Sequence, residues 1–206
     1  MDFDFSDEQK MFREEVRKAL ARACPMTEVR KVLEGQAAFA APAWAALVEQ
    51  GVPAADIATE HGGLGLGVLE LAVAAEEAGF ALAPTPLFAS IGLAVEVIRQ
   101  AASAVQQAAW LPALAEGRET AAVALGLHGV LPCLATDGTT VTGQLTAVAD
   151  GLFADALYFR AEAGDGAERW CRLAAGSAGC TRQAQESLDP TDRKSTRLNS
   201  SHSSVS

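Results

Sequence analysis

The stretch EHGGLGLG, residues 60–67, places glycines at 62, 63, 65 and 67 with leucines between them. How it is read decides the fold. Glycines this dense let a backbone approach something closely, and a nucleotide phosphate is the first candidate. A dinucleotide fingerprint needs a strand before the glycines, a helix opening on them and an acid about twenty residues later. The preceding GVPAADIAT (51–59) is short and weakly strand-like, and AGFALAP (78–84) holds no acid. The glycines are therefore expected to form a turn between two helices.

The flanks agree. APAWAALVEQG (41–51) has Pro42 near its first turn and Gly51 as a stop. VLELAVAAEEAGFAL (68–82) reads as a helix with Val68, Leu71, Ala72, Ala75 and Leu82 on its apolar face. Further out, Ser6 and Gln9 make a capping box ahead of a helix whose apolar stripe is Phe12, Val16, Leu20 and Ala23. A second helix is expected from Thr27 towards Gly35, another over LFASIGLAVEVIRQAA (87–102), and a shorter one ending at Gly117. Trp44 and Trp110 fall on apolar helix faces and read as core.

Near Glu119 the period changes. ETAAVALGL (119–127) is a short apolar run, and Asp137-Gly138 is a turn signal between two short strands. ADALYFRAEAGDGAERWCRLAAG (154–176) reads as two strands around a Gly-Asp-Gly loop. The expectation is a multi-domain α and β chain. An all-α N-terminal domain, residues 1–118, precedes an incomplete antiparallel β-sandwich or barrel domain, residues 119–193. Residues 194–206, KSTRLNSSHSSVS, are polar and without periodicity, predict a disordered tail, and resemble translated sequencing-adapter read-through.

Half of the 206 residues are hydrophobic and a fifth are charged, with a formal net charge of −10. That balance fits a soluble globular protein and makes nucleic acid and anionic membranes poor partners. No apolar run is long enough for a membrane span, and the acidic N-terminus does not resemble an export signal; a cytoplasmic location is the default expectation. Cys24, Cys133, Cys171 and Cys180 show no C-x-x-C pairing, so reduced thiols are expected and no metal site.

In their order, DFDFSDEQKMFREEVRKAL (2–20), WAALVEQGV (44–52), ATEHGGLGLGVLELAVAAEEAGFALAPTPLF (58–88), WLPALAEGRETAAVAL (110–125), LTAVADGLFADALYFRAE (145–162) and ESLDPTDR (186–193) resemble the acyl-CoA dehydrogenase family. The resemblance covers residues 1–192, the N-terminal helical domain and much of the middle β-domain. It implies FAD as cofactor and α,β-desaturation of an acyl-CoA thioester, in fatty acid or steroid catabolism. A carboxylate base removes the α proton and the β hydrogen leaves as hydride to the flavin. It further implies an electron-transfer flavoprotein or similar acceptor and an oligomeric assembly. In the family the base lies in a C-terminal helical bundle beyond the LDPT-like segment, so this chain is expected to be an inactive fragment with no catalytic residue of its own.

Two flavin-facing segments follow from the same resemblance. The family's A-L-T-E-P-like loop falls on Ala124, Leu125, Gly126, Leu127 and His128, and its second segment on Ala147, Val148, Ala149 and Asp150. Leu125, Gly126, Val148, Ala149 and Asp150 are thus the cofactor-binding candidates, acting through the backbone because the hydroxyl and aromatic side chains are replaced. Those replacements, with EEAGFALAPTPLF (76–88), also resemble the subunits of heteromeric steroid-catabolism dehydrogenases, in which one subunit supplies the base and its partner mainly structure. A non-catalytic subunit is the alternative reading. Glu60, Glu76 and Glu77 read as a solvated face or cap, His128 as a hydrogen-bonded loop residue, and Ser90 and Ser103 lack the partners of a hydrolase triad.

Overall fold

A computed structural model describes residues 4–125, 131–135 and 138–185. Six α-helices are described: α1 Asp7–Ala23, α2 Met26–Leu33, α3 Ala41–Glu49, α4 Val68–Phe80, α5 Val95–Ala101 and α6 Ala104–Ala115. A π-helix, Leu87–Ala94, leads directly into α5. Five strands follow: β1 Ala121–Ala124, β2 Cys133–Leu134, β3 Val141–Thr142, β4 Ala156–Ala163 and β5 Glu168–Ala174. The order, helices and then sheet, is the one expected. The helix expected over 87–102 is instead two elements of different pitch.

Two compact units emerge, one of residues up to Phe88 with Val105–Arg118, the other of Ala89–Ala104 with the described residues from Glu119 onward. In the first, α1 opens on the capping box: the Gln9 amide donates to Ser6 Oγ at 3.2 Å and the Ser6 amide to Gln9 Oε1 at 3.0 Å. α1 packs against α3 and α4, burying Val16, Leu20, Trp44, Leu47, Leu71 and Ala74. The Trp44 indole donates to the Gly117 carbonyl at 3.2 Å, so this core tryptophan is polar-satisfied.

The apolar face of α4 differs from expectation. Leu71, Val73, Ala74, Glu77 and Ala78 are buried, whereas Val68, Ala72, Ala75 and Leu82 are exposed. This helix is apolar nearly all round, so periodicity does not select a face. The glutamate on the buried side is accommodated by arginines of α1.

In the second unit the sheet is mixed. β4 pairs in parallel with β1 (Ala121↔Ala156 to Ala124↔Phe159) and with β2, and antiparallel with β5; β2 and β3 form the hairpin. The two antiparallel pairs are those the turn signals predict. The parallel pairs join segments some thirty residues apart, which local patterns do not report. Asp155 clasps the entry to β1, its Oδ2 accepting both the amide and the hydroxyl of Thr120 at 2.8 Å. Ala122, Ala124, Leu134, Val141, Val148, Leu157, Phe159 and Leu173 share one buried cluster.

Candidate functional site

The glycine loop is settled by its hydrogen bonds. All seven amides from His61 to Gly67 donate to carbonyls of residues 54–59: His61 and Gly63 to Ala58, Gly62 to Thr59, Leu64 to Ala54, Gly65 to Ile57, Leu66 and Gly67 to Ala55. A phosphate cradle needs such donors free and converging on the ligand. None remains, so the loop is a bracket between α3 and α4. Gly62, Gly65 and Gly67 have φ of 81°, 62° and 123°, and a methyl at Gly63 would come within 2.6 Å of Ile57 Cβ and closer still to its carbonyl. Leu64, Leu66, Val68 and Leu69 face outward, each about half exposed or more.

The first flavin-facing candidate segment follows β1. β1 pairs with β4 at an offset of 35 residues and β2 at an offset of 29. Between the two pairings the chain advances by eight positions, 125 to 132, while β4 advances only through Arg160 and Ala161, so six more residues separate β1 from β2 than the matching stretch of β4 requires. Leu125, exposed, is the first residue after β1. Gly126, Leu127 and His128 lie outside the described residues.

The second segment, 147–150, is a tight turn with two non-glycine residues at positive φ, Ala147 at 56° and Asp150 at 57°. The Gly151 amide donates to the Val148 carbonyl at 3.1 Å, and the Phe153 and Ala154 amides to the Asp150 carbonyl at 3.2 and 3.1 Å. The Ala147 amide donates to Gln185 Oε1 at 3.0 Å, and Arg182 Nη1 to the Ala154 carbonyl at 2.6 Å. Val148 is buried in the same cluster as Ala122 and Ala124 of β1, so its side chain serves the core. Ala149 and Asp150 are half-buried. Left-handed backbone at such residues costs about 1–3 kcal/mol each and is commonly retained where a site requires it.

The carboxylates are committed elsewhere. Glu77, about 2% exposed at its side chain, accepts from Arg17 Nε and Nη2, both at 2.8 Å, with Arg13 Nε at 3.7 Å. The bidentate bond to Arg17 holds its carboxyl below the usual range, against the upward push of burial. It is no solvated face residue, as its place among helix-face acids suggested, but the buried half of an ion pair whose arginine reaches solvent. Glu76 pairs with Arg13 at 2.5 Å, and Glu60 Oε1 lies 3.7 Å from His61 Nε2. Ser90 is fully buried and hydrogen-bonded in both directions to Ala121, which removes it as a nucleophile.

Sequence reading missed one polar cluster of the sheet. Tyr158 OH accepts from Arg172 Nε at 3.1 Å, and Arg172 Nη2 donates to Glu119 Oε1 at 2.7 Å. Burial, opposed by Arg172, pushes the Tyr158 phenol up to about 12. The signal was available only through the Tyr158↔Arg172 cross-strand register. Among the described residues no group of three or more His, Cys, Asp or Glu could hold a metal ion, and no helix is long and apolar enough to cross a membrane.

Residues 6–118 match the family described as acyl-CoA dehydrogenase, N-terminal domain. Among curated proteins, acyl-CoA dehydrogenase IpdE2 of Mycolicibacterium smegmatis is 31% identical over 144 residues, which is 66% of this chain and 45% of that protein. Among solved structures, the ChsE4-ChsE5 complex from Mycobacterium tuberculosis aligns with a TM-score of 0.87 at 25% identity, covering 100% of this chain and 57% of that one. Butyryl-CoA dehydrogenase from Megasphaera elsdenii aligns with a TM-score of 0.81 at 22% identity, over 100% and 60% of the two chains. The chain spans about half the length of the relatives it matches.

Proposed function

We propose, from the premise that this chain belongs to the acyl-CoA dehydrogenase family, that it is the helical and sheet portion of an FAD-dependent enzyme introducing an α,β double bond into an acyl-CoA thioester. The observation that carries this reading is the match of residues 6–118 to that family, together with a strand β1 that ends at Ala124, where the family's flavin loop is expected to begin. The resemblance supports a backbone-mediated hold, because the family's hydroxyl and aromatic side chains are replaced here. Leu125, Gly126, Ala149 and Asp150 would present main-chain groups, and Val148 would root the second segment in the core. FAD, when bound, would supply a hydride acceptor for the hydrogen leaving the β carbon. This chain's share would be to hold the ring in place through those main-chain groups. The α-proton base is not assigned to Glu60, Glu76 or Glu77; the last two are held by arginines.

A second reading is favoured by the likeness to a solved complex of two named chains, ChsE4 and ChsE5: a subunit that supplies structure to a different, base-bearing partner. An electron-transfer flavoprotein is the proposed acceptor in either case, and the cytoplasm the proposed location. Anaerobic dye reduction with a panel of acyl-CoA thioesters and added FAD tests both. The 206-residue chain alone is expected to give no turnover, and a base-bearing partner subunit is expected to restore it under the second reading. Acyl-CoA-dependent turnover by the chain alone would overturn the placing of the base outside it.

A further inference from the structure

Within a strand the amide and carbonyl of one residue point to the same edge, and successive residues alternate. The Thr120 carbonyl accepts from the Asp155 and Ala156 amides at 2.9 and 3.1 Å, so Thr120 faces β4 and Ala121 faces away from it. No described strand other than β4 pairs with β1. The outward polar groups of Ala121 are met instead by one side chain: the Ala121 amide donates to Ser90 Oγ at 2.8 Å, and the Ser90 hydroxyl donates to the Ala121 carbonyl at 3.1 Å. A single hydroxyl thereby reproduces the donor and acceptor that a neighbouring strand would offer. Ser90 is fully buried, within the π-helix Leu87–Ala94, and wide helical turns of this kind recur at functional sites.

We propose that Ser90 is a positioning residue for β1 and for Leu125, which directly follows it. It pins the first residue of a four-residue strand from the edge opposite β4, while the Thr120–Asp155 clasp pins the same end from the β4 side. With both edges held at its entry, so short a strand presents Leu125 from a fixed point. The functional consequence rests on the flavin reading above; the mechanical one does not.

The test compares the full 206-residue chain with Ser90→Ala and Ser90→Thr. Hydrogen exchange of the Ala121–Ala124 amides is expected to quicken at least tenfold in Ser90→Ala, with the α1 and β4–β5 amides unchanged, and to return towards the parent rate in Ser90→Thr, which keeps the hydroxyl. Unchanged β1 exchange, or a rise shared equally by α1 and β5, overturns the proposal, the latter because it marks a general loss of stability. FAD fluorescence titration is the second arm: affinity is expected to fall at least fivefold in Ser90→Ala at temperatures well below melting, and equal affinity would count against positioning. If the parent chain does not bind FAD, the flavin reading fails and the exchange arm alone decides the role of Ser90. Should Ser90→Ala not fold, Ser90→Cys, nearly the same shape with a weaker hydrogen bond, is expected to show the same local quickening, and its absence overturns the proposal.

Discussion

Gly62 and Gly63 are adjacent and indistinguishable by composition, yet the structure separates them. Gly62 has φ of 81° with nothing near its missing Cβ, while Gly63 is pressed against the Ile57 backbone. Gly62→Ala is therefore expected to cost only the left-handed penalty, about 1–2 kcal/mol. Gly63→Ala has no room to relax and is expected to exceed about 4 kcal/mol, in the class of severe overpacking. Urea unfolding followed by tryptophan fluorescence checks both; equal losses would refute the distinction. That the stretch was a turn was legible from its neighbours. Which glycine is indispensable was not, because the obstacle is a carbonyl brought back by the 3₁₀ turn Thr59–His61. The candidate cofactor residues show the same limit. Leu125, Val148 and Ala149 carry no chemistry of their own, so only their place in an ordered resemblance marked them, and the positive φ of Ala147 and Asp150 has no local sequence signal.

At the scale of elements, α1 and α4 are joined by a polar seam: Gln9 Nε2 donates to Glu70 Oε1 at 2.9 Å, Arg13 meets Glu76, and Arg17 meets Glu77. Arg17 remains 57% exposed at its side chain, so the pair is worth less than a fully buried one. Glu77→Gln is expected to cost about 1–2 kcal/mol, below the several kcal/mol of a wholly buried pair. Because the folded carboxyl titrates lower than the unfolded one, the stabilisation is present above about pH 4.5 and fades as pH falls through the folded value. The parent should lose stability there and Glu77→Gln should lose less, which acid titration of the urea midpoint measures. This pair also explains why the buried face of α4 escaped sequence reading. A glutamate argues against burial unless its partner, sixty residues away on α1, is known.

For the molecule as a whole, the change from helix to sheet near Glu119 was legible as a change of period, and the two hairpins as turn chemistry. The parallel pairing of β1 and β2 with β4 was not, since long-range ladders leave no local trace. That ladder creates a convenient reporter, because Tyr158 is the chain's one tyrosine and is buried on β4. Its phenol is raised to about 12 in the fold and returns to about 10 on unfolding. The stabilisation is complete below pH 10 and is lost as pH rises from 10 towards 12, by about 3 kcal/mol in total. Absorbance at 295 nm should show one late ionisation in the folded chain and a normal one in urea. A midpoint near 10 without denaturant would refute the burial.

Glycine-rich segments are habitually suspected as hinges, where a few permissive residues absorb the swing between open and closed forms. Residues 61–67 are unsuited to that part. Seven successive amides already have inward partners, and any swing would tear several of them at once. The permissiveness of glycine has here been consumed in reaching one conformation, leaving none for moving between two. If helices of this family shift during turnover, this segment should travel with α3 and α4 as cargo, and the bending must be sought elsewhere in the chain.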